Sequence, residues 1–447
     1  FQNFFSKAHK KGMHVIFDIA LNHTSVDHFW FQESRKGVDN PYRDYYIWNK
    51  DTDKYKEARL LFKGMCPSNW EKDGDHFFFH RFFEFQPDLN YRNPEVLLHM
   101  SQNLLYWLEQ GVDGFRADAI PYIWKEEGTN CENLPKTHTV VKFFRAVLDY
   151  VKPGTLLLAE ACQKPNDVVD YIKTGDECHA AYHFPLMPQM FKAIAKKSAQ
   201  PVLNALSTRV TPSIPNESQW FTFLRCHDEL SLELVYVNEE DRAYIHENYC
   251  HQPEWNFRVG EGISSRISEL FKFDVSKISL AYSLMLSLPG TPVLYYGDEF
   301  GKANDNAFYQ DMIKMTGKDD TRFLVRGKVD WDEVQDKLAD ENSFNSKIFK
   351  RIKKLINIRK QFKAFGRGSI EWLDFKESNE SCLAFKRIYK DEELLIVHNL
   401  GDTDQILKFK INSTVDLLDQ KVTLQNQNLI IPAGGFYWFS KQQWNNI

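Results

Sequence analysis

The sequence predicts an α/β chain: a parallel (β/α)8 (TIM) barrel lacking its first two strands, with a small antiparallel β-sandwich domain behind it. Three observations predict this. Short apolar runs alternate with stretches of helical period over most of the chain, one early segment has no period, and after residue 366 the helical stretches give way to short strands.

The elements follow in order. Residues 1–11 read as the end of an amphipathic helix, with Gly12 as its C-cap signal. The apolar run 13–19 then reads as a buried parallel strand. Residues 24–85 mix aromatic, charged and turn residues without a period and read as an irregular insertion. From Pro94 the pattern is helical: Val96, Leu97, Met100, Leu104, Leu105 and Leu108 recur at three- and four-residue spacing. Asn93 supplies a cap, Pro94 the first helical position and Glu95 an acid in the first turn, and Gln110-Gly111 ends the helix. A strand is expected at 112–118. Helices near 138–151, 165–173, 186–209 and 276–288 lead to strands near 155–160, 180–185, 220–226 and 292–297, and a last helix covers 345–363.

This gives six strands, near 14–19, 112–118, 155–160, 180–185, 220–226 and 292–297. Six alone would leave two unpaired edges. The reading therefore expects a parent barrel with two further strands before Phe1, on the order of 80–100 residues. Beyond 366, short strands are expected at 370–375, 382–389, 393–399, 405–409 and 429–439. The expected domains are a first barrel segment at 1–23, an inserted domain at 24–90, the rest of the catalytic barrel at 91–365 and the β domain at 366–447.

Composition narrows the partners. With 447 residues, 43% of them hydrophobic, the chain can bury a large core, and a net charge of −5 gives no support for a nucleic acid or an anionic membrane. No run of about 20 apolar residues appears, so no spanning helix is expected. Seven cysteines, odd in number and without a CxxC pair, read as reduced structural thiols of a cytoplasmic protein.

In such a barrel, reacting side chains sit where strands end. The first strand runs into Asp18, Asn22 and His23, and the second carries Arg116 and Asp118, two apart and so on one face. The third is apolar until its last residue, Glu160, and the strand at 220–226 runs into His227 and Asp228. A lone acid at a strand end is more often a cap or a satisfied polar group. Three acids together with Arg116, His23 and His227 are not explained that way, because clustering ionised groups costs stability. Glycosidic cleavage needs these types: one carboxylate attacks the anomeric carbon and one carboxylic acid protonates the leaving oxygen, about 5–5.5 Å apart in a retaining enzyme.

These segments resemble the four signature regions of the α-amylase family of glycoside hydrolases: 18–23 the first, 114–118 the second, 158–160 the third and 224–228 the fourth. The resemblance implies Asp118 as nucleophile, Glu160 as acid/base and Asp228 as the third acid that binds sugar hydroxyls. It implies that His23, Arg116 and His227 line the subsite for the cleaved glucose. It also implies an inserted domain after the third strand of an eight-stranded barrel, and a C-terminal β domain.

Gln86-Pro87-Asp88-Leu89-Asn90 is similar to the segment of the branch holding oligo-1,6-glucosidases, α-glucosidases and trehalose synthases. Longer stretches, at 113–122, 127–135, 176–179, 183–188, 224–230 and 288–301, look most like trehalose synthases. The implied activity is a covalent glucosyl-enzyme mechanism on an α-linked glucose di- or oligosaccharide such as maltose, isomerising it to trehalose. The alternative is an α-glucosidase or α-amylase that hydrolyses malto-oligosaccharides, and a third reading is a non-catalytic sugar- or protein-binding member. Phe85, Gln86 and Arg322 are expected to contact substrate, although Arg322 would read the same as a charge on a solvated loop. The chain departs from the branch at 304–318, at Phe85, where trehalose synthases usually carry a His, and at 323–331, where Thr-Pro-Met-Gln-Trp is usual. A Ca2+ ion is implied on Asn22, Asp88 and the carbonyls near Tyr122, although Lys125 stands where related enzymes tend to carry an acid. No organic cofactor is implied.

Overall fold

A computed structural model of the chain describes residues 1–373, 379–426 and 428–445. The chain divides into two compact units, Phe1–Tyr182 with Ser213–Gln219, and His183–Pro212 with Trp220–Ile447.

In the first unit, four parallel strands stand side by side: Ile16–Ala20, Gly114–Asp118, Leu156–Ala159 and Ala180–Tyr182. Their registers pair Asp18 with Arg116, Ala20 with Asp118, Ala117 with Ala159, and Ala159 with Ala181. A Cβ built on Gly114 would lie 2.7 Å from the Leu156 Cβ, so glycine lets these two strands approach. The helix Pro94–Gln110 starts and stops as its sequence predicts. The Asn93 side chain accepts the Glu95 N–H at 3.0 Å, and Gly111 ends the helix at φ 111°, a conformation that costs most other residues strain. Val96, Met100, Leu104 and Leu108 form its buried stripe. The helices Gln2–Lys10 and Pro135–Val151 also fall where expected.

The inserted segment is more ordered than its sequence suggests. It holds the helix Phe29–Ser34 and an antiparallel sheet of Trp48–Asn49, His76–Phe79 and Trp70–Asp73, with His76–Phe79 in the middle. Trp70, Phe79, Ala58 and Cys131 make a small core of their own. Strands of two to four residues are too short to show alternation.

In the second unit, Gln219–Phe223 pairs in parallel with Thr291–Val293, Phe221 facing Thr291. The helix Val275–Ser287 is buried nearly all round, as its Ile, Leu, Ala, Met and Ser content requires. The expected helix at 186–209 is two, Leu186–Lys196 and Gln200–Ala205, and the last long helix is Phe344–Gln361. Elements not expected from the sequence include the helices Glu239–Tyr249, Asn306–Thr316 and Trp331–Ala339, and a three-stranded sheet within 230–263.

The C-terminal part is an antiparallel sheet of Ser369–Leu373, Cys382–Tyr389, Glu392–Asn399 and Phe436–Ser440, with a three-stranded sheet of Gln405–Leu407, Asn428–Ile431 and Thr423–Gln425. Leu395, Val397 and Phe439 from the first share one buried cluster with Leu407, Leu429 and Ile431 from the second. The end of the expected strand 370–375 lies outside the described residues. The run 429–439 is two strands, because Pro432 has no N–H for a ladder and Gly434 turns the chain at φ 64°. Three expected parallel strands are shorter than read: 180–185 ends at Tyr182, 220–226 at Phe223 and 292–297 at Val293. Pro185 disfavours continued pairing in the first case.

Candidate active site

The predicted site residues fall into two clusters, one on each unit. On the first, the register dictates the geometry. Asp18 faces Arg116 across the Ile16–Ala20 and Gly114–Asp118 strands, and Asp118 lies two residues further along the same face. Arg116 Nη1 donates to Asp18 Oδ1 at 2.8 Å and to Asp118 Oδ1 at 2.7 Å, while Nη2 stands 3.9 Å from Glu160 Oε1. Burial opposes the charge on Arg116, but Glu160, Asp118 and Asp18 outweigh it and hold its pKa above the ordinary guanidinium range. Glu160 follows the Leu156–Ala159 strand. Its backbone N–H donates to Ala117 O, and its Oε2 accepts the Ala119 N–H at 2.9 Å. The residue after the predicted nucleophile thus holds the predicted acid. Ala119 sits at φ 55°, a strained setting that aims this N–H.

His23 is buried, with Gln86 Nε2 3.0 Å from its Nε2 and its ring against Phe82. Burial lowers its pKa, Lys125 adds to that, and the charges of Asp118 and Asp88 oppose it, so the imidazole is a neutral hydrogen-bonding group at pH 7. Phe85 is 40% exposed and stacks on Phe83 at 5.1 Å, an open aromatic face beside Gln86.

The calcium expectation meets a correction here. Lys125 Nζ lies 2.7 Å from Asn22 Oδ1 and 2.7 Å from Asp88 Oδ2, so an ammonium occupies the position expected for the ion. The Tyr122 ring lies under the Arg81 guanidinium at 5.0 Å. A donor set that already holds a cation does not fit Ca2+, which needs six to eight oxygens at about 2.3–2.6 Å.

On the second unit, Asp228 is held by three groups. His227 Nε2 is 3.2 Å from its Oδ2, and Arg322 Nη1 and Arg326 Nη2 reach its Oδ1 at 3.1 and 2.7 Å. Arg322 is no solvated loop charge. Its side chain is 11% exposed, forks onto Asp320 through Nε and Nη2, and lies over the Phe257 ring at 4.8 Å. Arg326 also donates from Nε to the His227 carbonyl at 2.8 Å.

The sequence reading missed three contributors. Asp18 has no role in the sequence reading beyond opening the first signature region, Arg326 falls only in a divergent segment, and Phe257 is absent from it. Arg326 lies one helical turn after Arg322, and that spacing is the signal that would have grouped them. Among the described residues, the one His/Cys/Asp/Glu group close enough to hold a metal is Cys226, His227 and Asp228. Two arginines on Asp228 oppose a second cation there. Among the described residues, no helix is long and apolar enough to cross a membrane.

The clusters can do acid–base and nucleophilic chemistry: two carboxyls at adjacent strand ends share one guanidinium, and a third carboxylate lies under two arginines. Comparison with known proteins gives a concordant result. The chain is 38% identical to a trehalose synthase/amylase TreS of Mycobacterium tuberculosis, over 97% of this chain and 76% of that protein. It is also 38% identical to a trehalose synthase of Thermus thermophilus, over 96% of this chain and 46% of that protein. Among solved structures, an α-amylase from H. orenii superposes with a TM-score of 0.72 at 23% identity, covering 98% of this chain and 83% of that one, a likeness of fold alone. Residues 1–368 match the family described as alpha amylase, catalytic domain, and the chain belongs to that family of glycosidases and glucosyltransferases.

Proposed function

We propose that this chain is a retaining α-glucosyl-transferring enzyme that isomerises maltose to trehalose and releases some glucose by hydrolysis. The observation that carries the reading is the Arg116 Nη1 bridge between Asp18 and Asp118, beside a Glu160 carboxyl fixed on the Ala119 N–H. Asp118 attacks the anomeric carbon as Glu160 protonates the departing glucose oxygen, giving a β-linked glucosyl ester on Asp118 and free glucose. Glu160, now a carboxylate, takes the proton from the C1 hydroxyl of that retained glucose. The oxygen of that hydroxyl, in the α anomer of the retained glucose, displaces Asp118; the two inversions restore α at the transferred carbon, and the acceptor's own α configuration makes the product α,α-linked. Water in place of glucose gives hydrolysis, so the outcome depends on how well glucose is retained.

Asp228 is the third acid of the family pattern, binding sugar hydroxyls, with Arg322 and His227 beside it. His23 and Gln86 are assigned to the hydroxyls of the cleaved glucose, and Phe85 beside them offers an apolar face to a sugar ring. A complete (β/α)8 barrel is part of this reading. The trehalose synthase likeness supports the isomerase. The two-arginine grip on Asp228, with Arg326 in a segment that differs from the branch, favours hydrolysis as the second reading. Incubation with maltose separates them. Trehalose as main product is expected, and glucose alone would reject isomerisation.

A further inference from the structure

We infer that the Lys125 ammonium is a built-in cation that stands in for a divalent ion, tying the inserted segment to the end of the first strand without bound metal. Three chain segments meet at this nitrogen. Asn22 comes from the end of the Ile16–Ala20 strand, Asp88 from the return of the inserted segment, and Lys125 from the loop after Gly114–Asp118. All three are buried, with Asn22 and Asp88 0% exposed and Lys125 3% exposed. The ammonium is 2.7 Å from an oxygen of each partner.

The surroundings fix every part of this arrangement. The other oxygen of Asp88 accepts the Arg81 N–H at 3.0 Å, and the Asn22 carbonyl accepts the Leu89 N–H at 2.9 Å. The Lys125 carbonyl accepts from Arg92 Nη2 at 2.9 Å, and that guanidinium lies 4.8 Å over Trp124. Both ends of the lysine are therefore held. Charge balance agrees: one buried carboxylate and one neutral amide are matched by a single positive charge, where a divalent ion would leave an excess. A second cation could reach these oxygens only by approaching an ammonium that touches them both, at a repulsive distance. Asn22 also lies 3.4 Å from His23 Nδ1, so the ammonium orders the residue next to a predicted substrate contact.

The inference is independent of whether the enzyme isomerises or hydrolyses, so its test reads stability. The thermal midpoint of the full chain is measured with EDTA and with millimolar Ca2+, for the protein and for Lys125→Met and Lys125→Glu. The unmodified protein is expected to differ by less than about 1 °C between the two conditions, Lys125→Met to melt about 5 °C or more lower in both, and Lys125→Glu to be low in EDTA and restored by Ca2+. A midpoint of the unmodified protein that falls in EDTA and recovers with Ca2+ would overturn the inference. So would a Lys125→Met protein as stable as the original, or a Lys125→Glu protein that Ca2+ does not restore. Should a variant yield no folded protein, the unmodified arm decides alone, with metal analysis of the purified protein expected to find no stoichiometric calcium.

Discussion

Replacing Arg116 by Met keeps the apolar stem of the side chain and removes its charged guanidinium. The charge-assisted contacts to two carboxylates are lost, to both oxygens of Asp18 and to Asp118. They do not weigh equally. Asp18 is 54% exposed, so water and salt screen its contact to about 0–1 kcal/mol. Asp118 is 29% exposed and Arg116 only 12%, so that bond keeps more of the 1.5–3 kcal/mol typical of a charged hydrogen bond, about 1–2 kcal/mol after screening. The more distant Glu160 adds little, at 3.9 Å. The sum is about 1–3 kcal/mol of lost order and charge balance around the nucleophile, roughly a 5- to 150-fold fall in kcat/KM at about 1.4 kcal/mol per decade. Initial rates on an activated α-glucoside, with thermal midpoints as control, measure this. Arg116→Lys should recover part of the rate, because its ammonium keeps the positive charge beside the carboxylates but lacks the second nitrogen, Nη2, that faces Glu160. An Arg116→Met enzyme within a factor of about three of the original, at unchanged midpoint, would refute the reasoning, since the two bonds would then carry less than about 0.7 kcal/mol.

Three further outcomes follow from the same contacts. Arg326→Gln, which frees Asp228 Oδ1 and the His227 carbonyl from one cation, should raise KM for maltose several-fold with a smaller change in kcat, read from full kinetic curves. Burial lowers the pKa of His183 to about 4 and of His398 to about 3, from 6.5. The unfolded chain then binds protons that the folded chain refuses, so stability falls as pH drops below 6.5, by about 1.4 kcal/mol per pH unit for each histidine. Urea titrations at several pH values should show His398→Gln, which can still bond Ser283 Oγ, losing one such contribution to the slope. Asn93→Ala removes the cap of the Pro94–Gln110 helix and should cost about 1 kcal/mol in the same titration.

Most of the parallel strands were legible because each is a short apolar run between turn signals. The Leu156–Ala159 strand is apolar to its last residue, so Glu160 stands out at its end. Arg116 and Asp118 were legible as a pair because a strand repeats every two residues, and in the structure the Arg116 guanidinium donates to Asp118. The inserted segment was not. Its strands are too short to alternate, and its helix Phe29–Ser34 rests on a His28 cap that accepts the Trp30 N–H, outside the usual cap residues. The break in the 429–439 run was visible in Pro432 and Gly434, yet the flanking apolar residues outweighed it. Lys125 in place of an acid was visible, but that its nitrogen reaches both Asn22 and Asp88 depends on three segments meeting, which no local pattern encodes.

A covalent glucosyl ester on Asp118 is the step on which retention depends, and trapping it is the most direct test. A fluorinated α-glucosyl fluoride forms a glucosyl ester quickly and releases it slowly, so digestion and mass spectrometry can locate the sugar. The prediction is one glucosyl group per chain on the peptide carrying Asp118, lost in Asp118→Asn. A label on another residue, or turnover with inverted anomeric configuration and no label, would contradict the account.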